Sequence, residues 1–314
     1  MNRSTFSSLL AVIVTCLATG TLNAAQVLGP GDNEDDLVPT GKGWGERAYP
    51  SHGNGNANGK AGGKVIGNGI NYHGGPLQNS TAGTNAYYIW YGNWTGNTAT
   101  SILTDLIGHI GPSPYFNINT TYYDAAQLYV TNKINYSGST TDNYSQGTAL
   151  SDAQVQTVVS AAITSGRLPK DTNAVYFVLT SADVNETSGF CTQYCGWHTH
   201  GTIGGADITY SFVGNPDRCP SACSVQTTGP NGNAGADGMA SIVAHELEEA
   251  VTDPDLNAWY DTRGRENADK CAWTFGTTYA TSNGALANMK LGTRDFLIQQ
   301  NWVNASGGYC ALHY

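Results

Sequence analysis

Hydrophobic and polar positions follow two rhythms along the chain. Residues 86–91 (Ala-Tyr-Tyr-Ile-Trp-Tyr) form an unbroken apolar and aromatic run, which predicts a buried strand. Ile102, Leu103, Leu106, Ile107 and Ile110 then recur at helical spacing. Residues 126–130 suggest a further strand. Val155, Val158, Val159, Ala162 and Ile163 mark an amphipathic helix ending near Gly166, with Pro169 beyond it. Strands are expected at 174–180 and 207–213, a helix from about 238 to 252, and a late strand over 296–303. Without internal repeats or a regular βαβ cadence, the pattern predicts an α+β fold: a mixed sheet, one chemically interesting helix and a loop-rich C-terminal half.

The amino terminus departs from both rhythms. Arg3, the apolar run 9–14 and small residues ending at Ala24-Ala25 have the layout of a secretory signal peptide over residues 1–25, too short in its apolar part to span a bilayer. Residues 26–65 are poor in apolar side chains and carry a Gly/Asn run at 53–59, so they read as a flexible leader or propeptide. Residues 66–314 then form a single globular domain, expected to be a secreted, extracellular, soluble monomer.

Cysteine usage agrees with export. Cys16 lies in the signal segment, leaving Cys191, Cys195, Cys219, Cys223, Cys271 and Cys310 for three disulfides. Proximity in sequence favours Cys191 with Cys195, Cys219 with Cys223, and Cys271 with Cys310. The competing use of the two CxxxC pairs, a four-thiolate zinc site, suits neither this spacing nor an oxidising compartment. Charge narrows the partners: 14 Lys+Arg against 24 Asp+Glu give a net charge of −10. That leaves no basic surface for nucleic acid or for an anionic membrane.

Three of the chain's seven glutamates fall in Ala244-His245-Glu246-Leu247-Glu248-Glu249-Ala250. On a helix with His245 at 0°, Glu249 lies at roughly 40° and Glu248 at roughly 300°, while Met239, Val243, Leu247, Ala250 and Val251 cover the opposite side. Asp237 is a candidate N-cap, and Thr252-Asp253-Pro254 ends the helix. In an H-E-x-x-H motif the residues at i and i+4 grip one metal, and the glutamate between them activates its water. Here Glu249 holds the fifth position, and a carboxylate oxygen can bind zinc about as closely as an imidazole nitrogen.

Downstream, Glu266 and Asp269 offer two more acids. Their spacing resembles that of thermolysin-like peptidases, in which a second helix supplies a glutamate ligand and an aspartate that orients the first histidine. Carried over, His245, Glu249 and Glu266 are the expected metal ligands, Asp269 sits behind them, and Glu246 is the catalytic base. The same resemblance implies a zincin-like sheet, with the strand at 207–213 as the edge that pairs with an extended substrate. His198 is a further candidate ligand or oxyanion donor, with His200 two residues on. His73 and His109 read as ordinary polar residues. Serine or thiol catalysis has no visible basis, because no G-x-S-x-G elbow is present and the mature cysteines are paired.

Several longer stretches resemble the phosphate-induced protein 1 family, also called EXORDIUM-like. They are Tyr72-His73-Gly74-Gly75-Pro76, Ile89-Trp90-Tyr91-Gly92-Asn93-Trp94, residues 179–184, the segment from Phe190 to His198, Cys219-Pro220-Ser221-Ala222-Cys223, the helix motif with Glu249, Thr252 and Pro254, and Asn257-Ala258-Trp259-Tyr260. Glu266, Asp269 and Cys271 match as well, whereas His200 falls outside the pattern. The resemblance implies secretion and a role in growth or cell-wall biology. Two readings follow: a zinc-dependent metallopeptidase acting on a peptide or protein, or a non-catalytic extracellular protein that binds wall glycans or signals growth. In the second, Trp90, Trp94, Trp197 and Trp259 are candidate sugar contacts.

Overall fold

The computed structural model describes residues 38–42 and 69–314. The expected signal peptide and most of the expected leader lie outside the described residues. At the centre is a five-stranded sheet built from β1 (Thr84–Tyr91), β2 (Ile134–Asp142), β3 (Ala174–Thr180), β4 (Gly196–Ile203) and β5 (Ala206–Val213). Its spatial order is β2-β1-β3-β5-β4. The first four in that order run parallel, and β4 returns antiparallel along the outside of β5. The architecture is therefore mixed α and β on a mixed sheet.

Burial explains the strand sequences. β1 and β3 lie inside the sheet, and β3 is buried at every position, hence its continuous Ala-Val-Tyr-Phe-Val-Leu-Thr run. β2 is an edge strand whose residues alternate between cover and solvent, so its polar Ile-Asn-Tyr-Ser-Gly-Ser-Thr-Thr-Asp sequence carries little hydrophobic signal. The strand expected at 207–213 is present but interior, between β3 and β4. It is therefore not an edge: the edge on that side is β4, because the hairpin turns back outside it.

Three helices flank the sheet: α1 (Ala99–Ile110), α2 (Asp152–Thr164) and α3 (Ala234–Thr252). α1 buries Ile102, Leu103, Leu106, Ile107 and Ile110, as their spacing predicts. α2 starts with a capping box in which Ser151 and Gln154 satisfy each other's ends. α3 starts earlier than expected: Asn233 is the N-cap, accepting from the Ala236 amide at 3.1 Å. Asp237 instead accepts from the Asn231 backbone and side chain and fastens the preceding loop.

Two expected strands resolve differently. At 126–130 the Asp124 carboxylate accepts from the Ala126 and Leu128 amides and folds the segment into a turn, leaving only a bridge between Tyr123 and Tyr129. Over 296–303 the chain divides between two hairpins, one pairing Arg294–Phe296 with Met289–Leu291 and the other pairing Asn301–Val303 with Tyr309–Ala311.

The disulfides join Cys191 to Cys219, Cys195 to Cys223 and Cys271 to Cys310, with Cα separations of 5.8, 5.6 and 5.6 Å. The first two correct the pairing expected from proximity, and only Cys271 with Cys310 stands. The cause is the β4–β5 hairpin: Gly196 pairs with Val213, so the CxxxC loop before β4 lies against the CxxxC turn after β5. All six sulfurs are thereby spent, and no four-thiolate zinc site exists. No helix among the described residues is long and apolar enough to cross a membrane.

Candidate functional site

α3 packs against α1, β4 and β5, and its polar side is covered as fully as its apolar side. His245 is 1% exposed, and Glu246, Glu248 and Glu249 are each 0% exposed, so the acids do not form a solvated helix face. Seven groups from three regions converge there: His198 from β4; His245, Glu246 and Glu249 from α3; and Asp253, Glu266 and Asp269 from the segment that follows.

Glu249 is the hinge of the cluster. Its Oε1 lies 3.0 Å from His245 Nε2 and accepts the Asp269 amide at 3.0 Å, while its Oε2 faces His198 Nδ1 at 3.5 Å. Around these two oxygens stand two trios able to offer one ligand atom each, His198 with Glu246 and Glu249, and His245 with Glu249 and Asp269. Glu246 Oε2 completes the first at 3.5 Å from His198 Nδ1, and Asp269 Oδ1 the second at 3.6 Å from His245 Nε2. These gaps are long for hydrogen bonds. They match two donors of one cation, since atoms about 2.1 Å from a tetrahedral metal lie roughly 3.4 Å apart.

The structure brings His245, Glu249 and Asp269 together and sets Glu266 against His198. His245 and Glu249 meet as the i, i+4 spacing predicts, and Asp269 is the downstream acid that reaches His245. Glu266 stands instead on the far side of the His198 ring, 3.5 Å from Nε2. No second α-helix delivers these acids: Glu266 is in a loop, and Asp269 opens a single 3-10 turn, Asp269–Cys271, tied down by the Cys271–Cys310 bridge.

His198 holds the central position. Its Nε2 lies 3.2 Å from the Asp253 carbonyl. A proton donated there leaves Nδ1 facing Glu246 and Glu249, the orientation in which a carbonyl holds a ligating imidazole. Asp253 has a second task that sequence reasoning missed. It reads as a helix terminator before Pro254, yet its Oδ1 accepts the Asn257 and Ala258 amides at 2.6 Å each and turns the chain back toward the cluster. The remaining trio, His200 with Asp207 and Asp255, is partly exposed and separate.

Proton affinities record the crowding. Burial alone would lower the His198 pKa, but Glu249 and Asp253 outweigh it and raise the value. Burial would raise Glu249, but His245 and His198 outweigh it and hold the group at about 2. Burial pushes Asp253 up to about 7. Burial, followed by the like charge of Glu249, raises Glu266 well above the usual carboxylate range. Glu248 is raised the same way, on the helix side facing Asn119. The cluster thus divides between ionised and proton-retaining acids, and a divalent cation is the other way to balance such a set.

The four tryptophans named as sugar contacts are core residues. Trp90, Trp94, Trp197 and Trp259 are 5, 8, 1 and 4% exposed. Trp90 packs edge-on against Trp94, and the Trp94 and Trp259 indoles donate to the Tyr91 and Tyr123 carbonyls. Their flat faces are used in packing rather than offered to solvent.

Residues 70–296 match the family model described as the phosphate-induced protein 1 conserved region. The chain is 31% identical over 274 residues to Protein EXORDIUM-like 5 of Arabidopsis thaliana, covering 74% of this chain and 75% of that one. It is 30% identical to Protein EXORDIUM-like 3 of the same plant, covering 77% and 82%. Against Protein PHOSPHATE-INDUCED 1 of Nicotiana tabacum the identity is 28%, covering 61% and 67%. No solved structure matches. The match spans β1 to β5, α3 and the segment carrying Glu266 and Asp269.

Proposed function

Because the chain belongs to the phosphate-induced protein 1 family, we propose that it is a non-catalytic extracellular protein of the EXORDIUM type, related to growth and the cell wall. Three disulfides are consistent with export to an oxidising compartment. At its centre we place a divalent cation, zinc by donor type, held by His198, Glu246 and Glu249, with His245 and Asp269 as the alternative pair on the other oxygen of Glu249. When bound, the ion supplies positive charge to a crowded acidic interior and joins β4 to α3.

The observation that carries this reading is burial. Catalytic zinc sites keep one coordination position open to substrate, whereas structural sites are closed. The residues of both trios are buried, with Asp269 the most open at 6%. Each trio supplies three donors and so leaves a fourth position, and the reading as a structural ion rests on the burial of all the donors around that position. The peptidase reading rests on the helix motif and on the downstream spacing of Glu266 and Asp269.

Metal analysis of the purified full chain, paired with digestion of a peptide library, tests the proposal. A bound divalent metal that disappears in Glu249→Ala, with no peptide cleaved, is the expected result. Cleavage that is lost in Glu246→Gln would restore the peptidase, and metal-free protein that takes up no zinc on titration would remove the ion.

A further inference from the structure

Five residues of the N-terminal region are described, and they lie on the outer edge of the sheet. The Gly41 carbonyl accepts the His198 amide of β4 at 3.0 Å. Pro39 and Gly41 are buried while Val38 and Thr40 are exposed, so alternate residues of the arm face the protein. The approach is close enough to require glycine. A Cβ at position 41 would come 1.9 Å from the His198 carbonyl oxygen, and the backbone there has φ +67°.

The next residue drops into a built cup. Lys42 Nζ donates to Asp152 Oδ2 and Ser188 Oγ at 2.6 Å each. It lies 5.4 Å from the Tyr194 ring centroid and 5.7 Å from that of Trp197, within cation–π range. The walls are tied together: Ser188 Oγ donates to Asp152 Oδ1 at 2.7 Å and contacts Glu186 Oε2 at 3.0 Å, and the Tyr194 hydroxyl donates to the same Glu186 oxygen. Glu186, Tyr194 and Trp197 are each 1% exposed. The cup thus sets one acid, one hydroxyl and two aromatic rings around one ammonium, with Glu186 behind them bracing Ser188 and Tyr194.

We propose that the outer edge of β4 and the cup of Asp152, Glu186, Ser188, Tyr194 and Trp197 form a binding site for an extended polypeptide bearing a glycine followed by a lysine, occupied in this chain by its own Gly41-Lys42. The backbone hydrogen bond to the β4 edge sets the register, and the side-chain pocket supplies selectivity. Neither part uses the buried cation, so the proposal stands apart from that reading. A peptide in trans gains the site once the arm is released.

Fluorescence anisotropy with a labelled Val-Pro-Thr-Gly-Lys-Gly peptide on the full chain tests this. Gly41→Val combined with Lys42→Ala releases the arm, and the peptide should bind that variant at least tenfold tighter than the wild type. Replacing the peptide's lysine with norleucine should abolish binding. A second measurement needs no released arm: trypsin should cut after Lys42 several-fold faster in Asp152→Asn than in the wild type. Equal binding of the lysine and norleucine peptides, no binding to the released variant, or an unchanged cleavage rate in Asp152→Asn overturns the proposal.

Discussion

His198 Nδ1 faces Glu249 Oε2 at 3.5 Å, although one residue stands on the outermost strand and the other on the central helix. This contact closes the sheet edge onto α3. It also makes His198 the common point of two features: its ring enters the buried cluster, and its backbone amide receives the N-terminal arm. Fold stability, the acidic cluster and the arm can each be perturbed separately around it.

Chelation should destabilise the loaded protein. Zinc at a hundred times its dissociation constant adds about 2.7 kcal/mol to the folded state. Its removal should then lower Tm by roughly 5–10 °C for a domain of this size. Glu249→Ala, which strips both trios, should show no further fall on adding chelator. Calorimetry with and without a chelator reads both outcomes.

Asp253→Ala should cost about 2–3 kcal/mol, because one buried and one part-buried amide lose their carboxyl acceptor. Asp253→Asn keeps an oxygen for those amides and should cost less. Urea unfolding of the two variants measures the difference, and equal losses would mean that the turn is held by other contacts.

Disulfide mapping should recover peptides linking Cys191 to Cys219 and Cys195 to Cys223. Removing the second bridge as Cys195→Ser with Cys223→Ser should cost about 2–4 kcal/mol. Recovery of a Cys191–Cys195 peptide would contradict the hairpin arrangement.

Within the sheet, Ile89 is fully buried on β1 and Leu128 is 57% exposed in its turn. Ile89→Val should cost about 1 kcal/mol and Ile89→Ala about 3–4 kcal/mol, whereas Leu128→Ala should stay within about 0.5 kcal/mol. A large loss at Leu128 would restore the strand expected over 126–130.

Much of this protein is local in origin and was legible from residue order. Continuous apolar runs produce β1 and β3 because both faces of those strands are covered. Repeats at helical spacing produce α1 and α2, and the i, i+4 relation alone brings His245 to Glu249. The polar edge strand β2 was not legible, since half of its side chains face water and hydrophobic pattern is the signal that reveals strands.

Long-range placement was settled only by tertiary structure. The β4–β5 hairpin sets the two CxxxC segments side by side and crosses their disulfides. The return of the chain after Asp253 delivers Asp269 to His245 and leaves Glu266 beyond His198. Sequence spacing sets which side chains share one face of one element. Which separate elements meet depends on how their buried faces pack together, and that is a property of the whole chain.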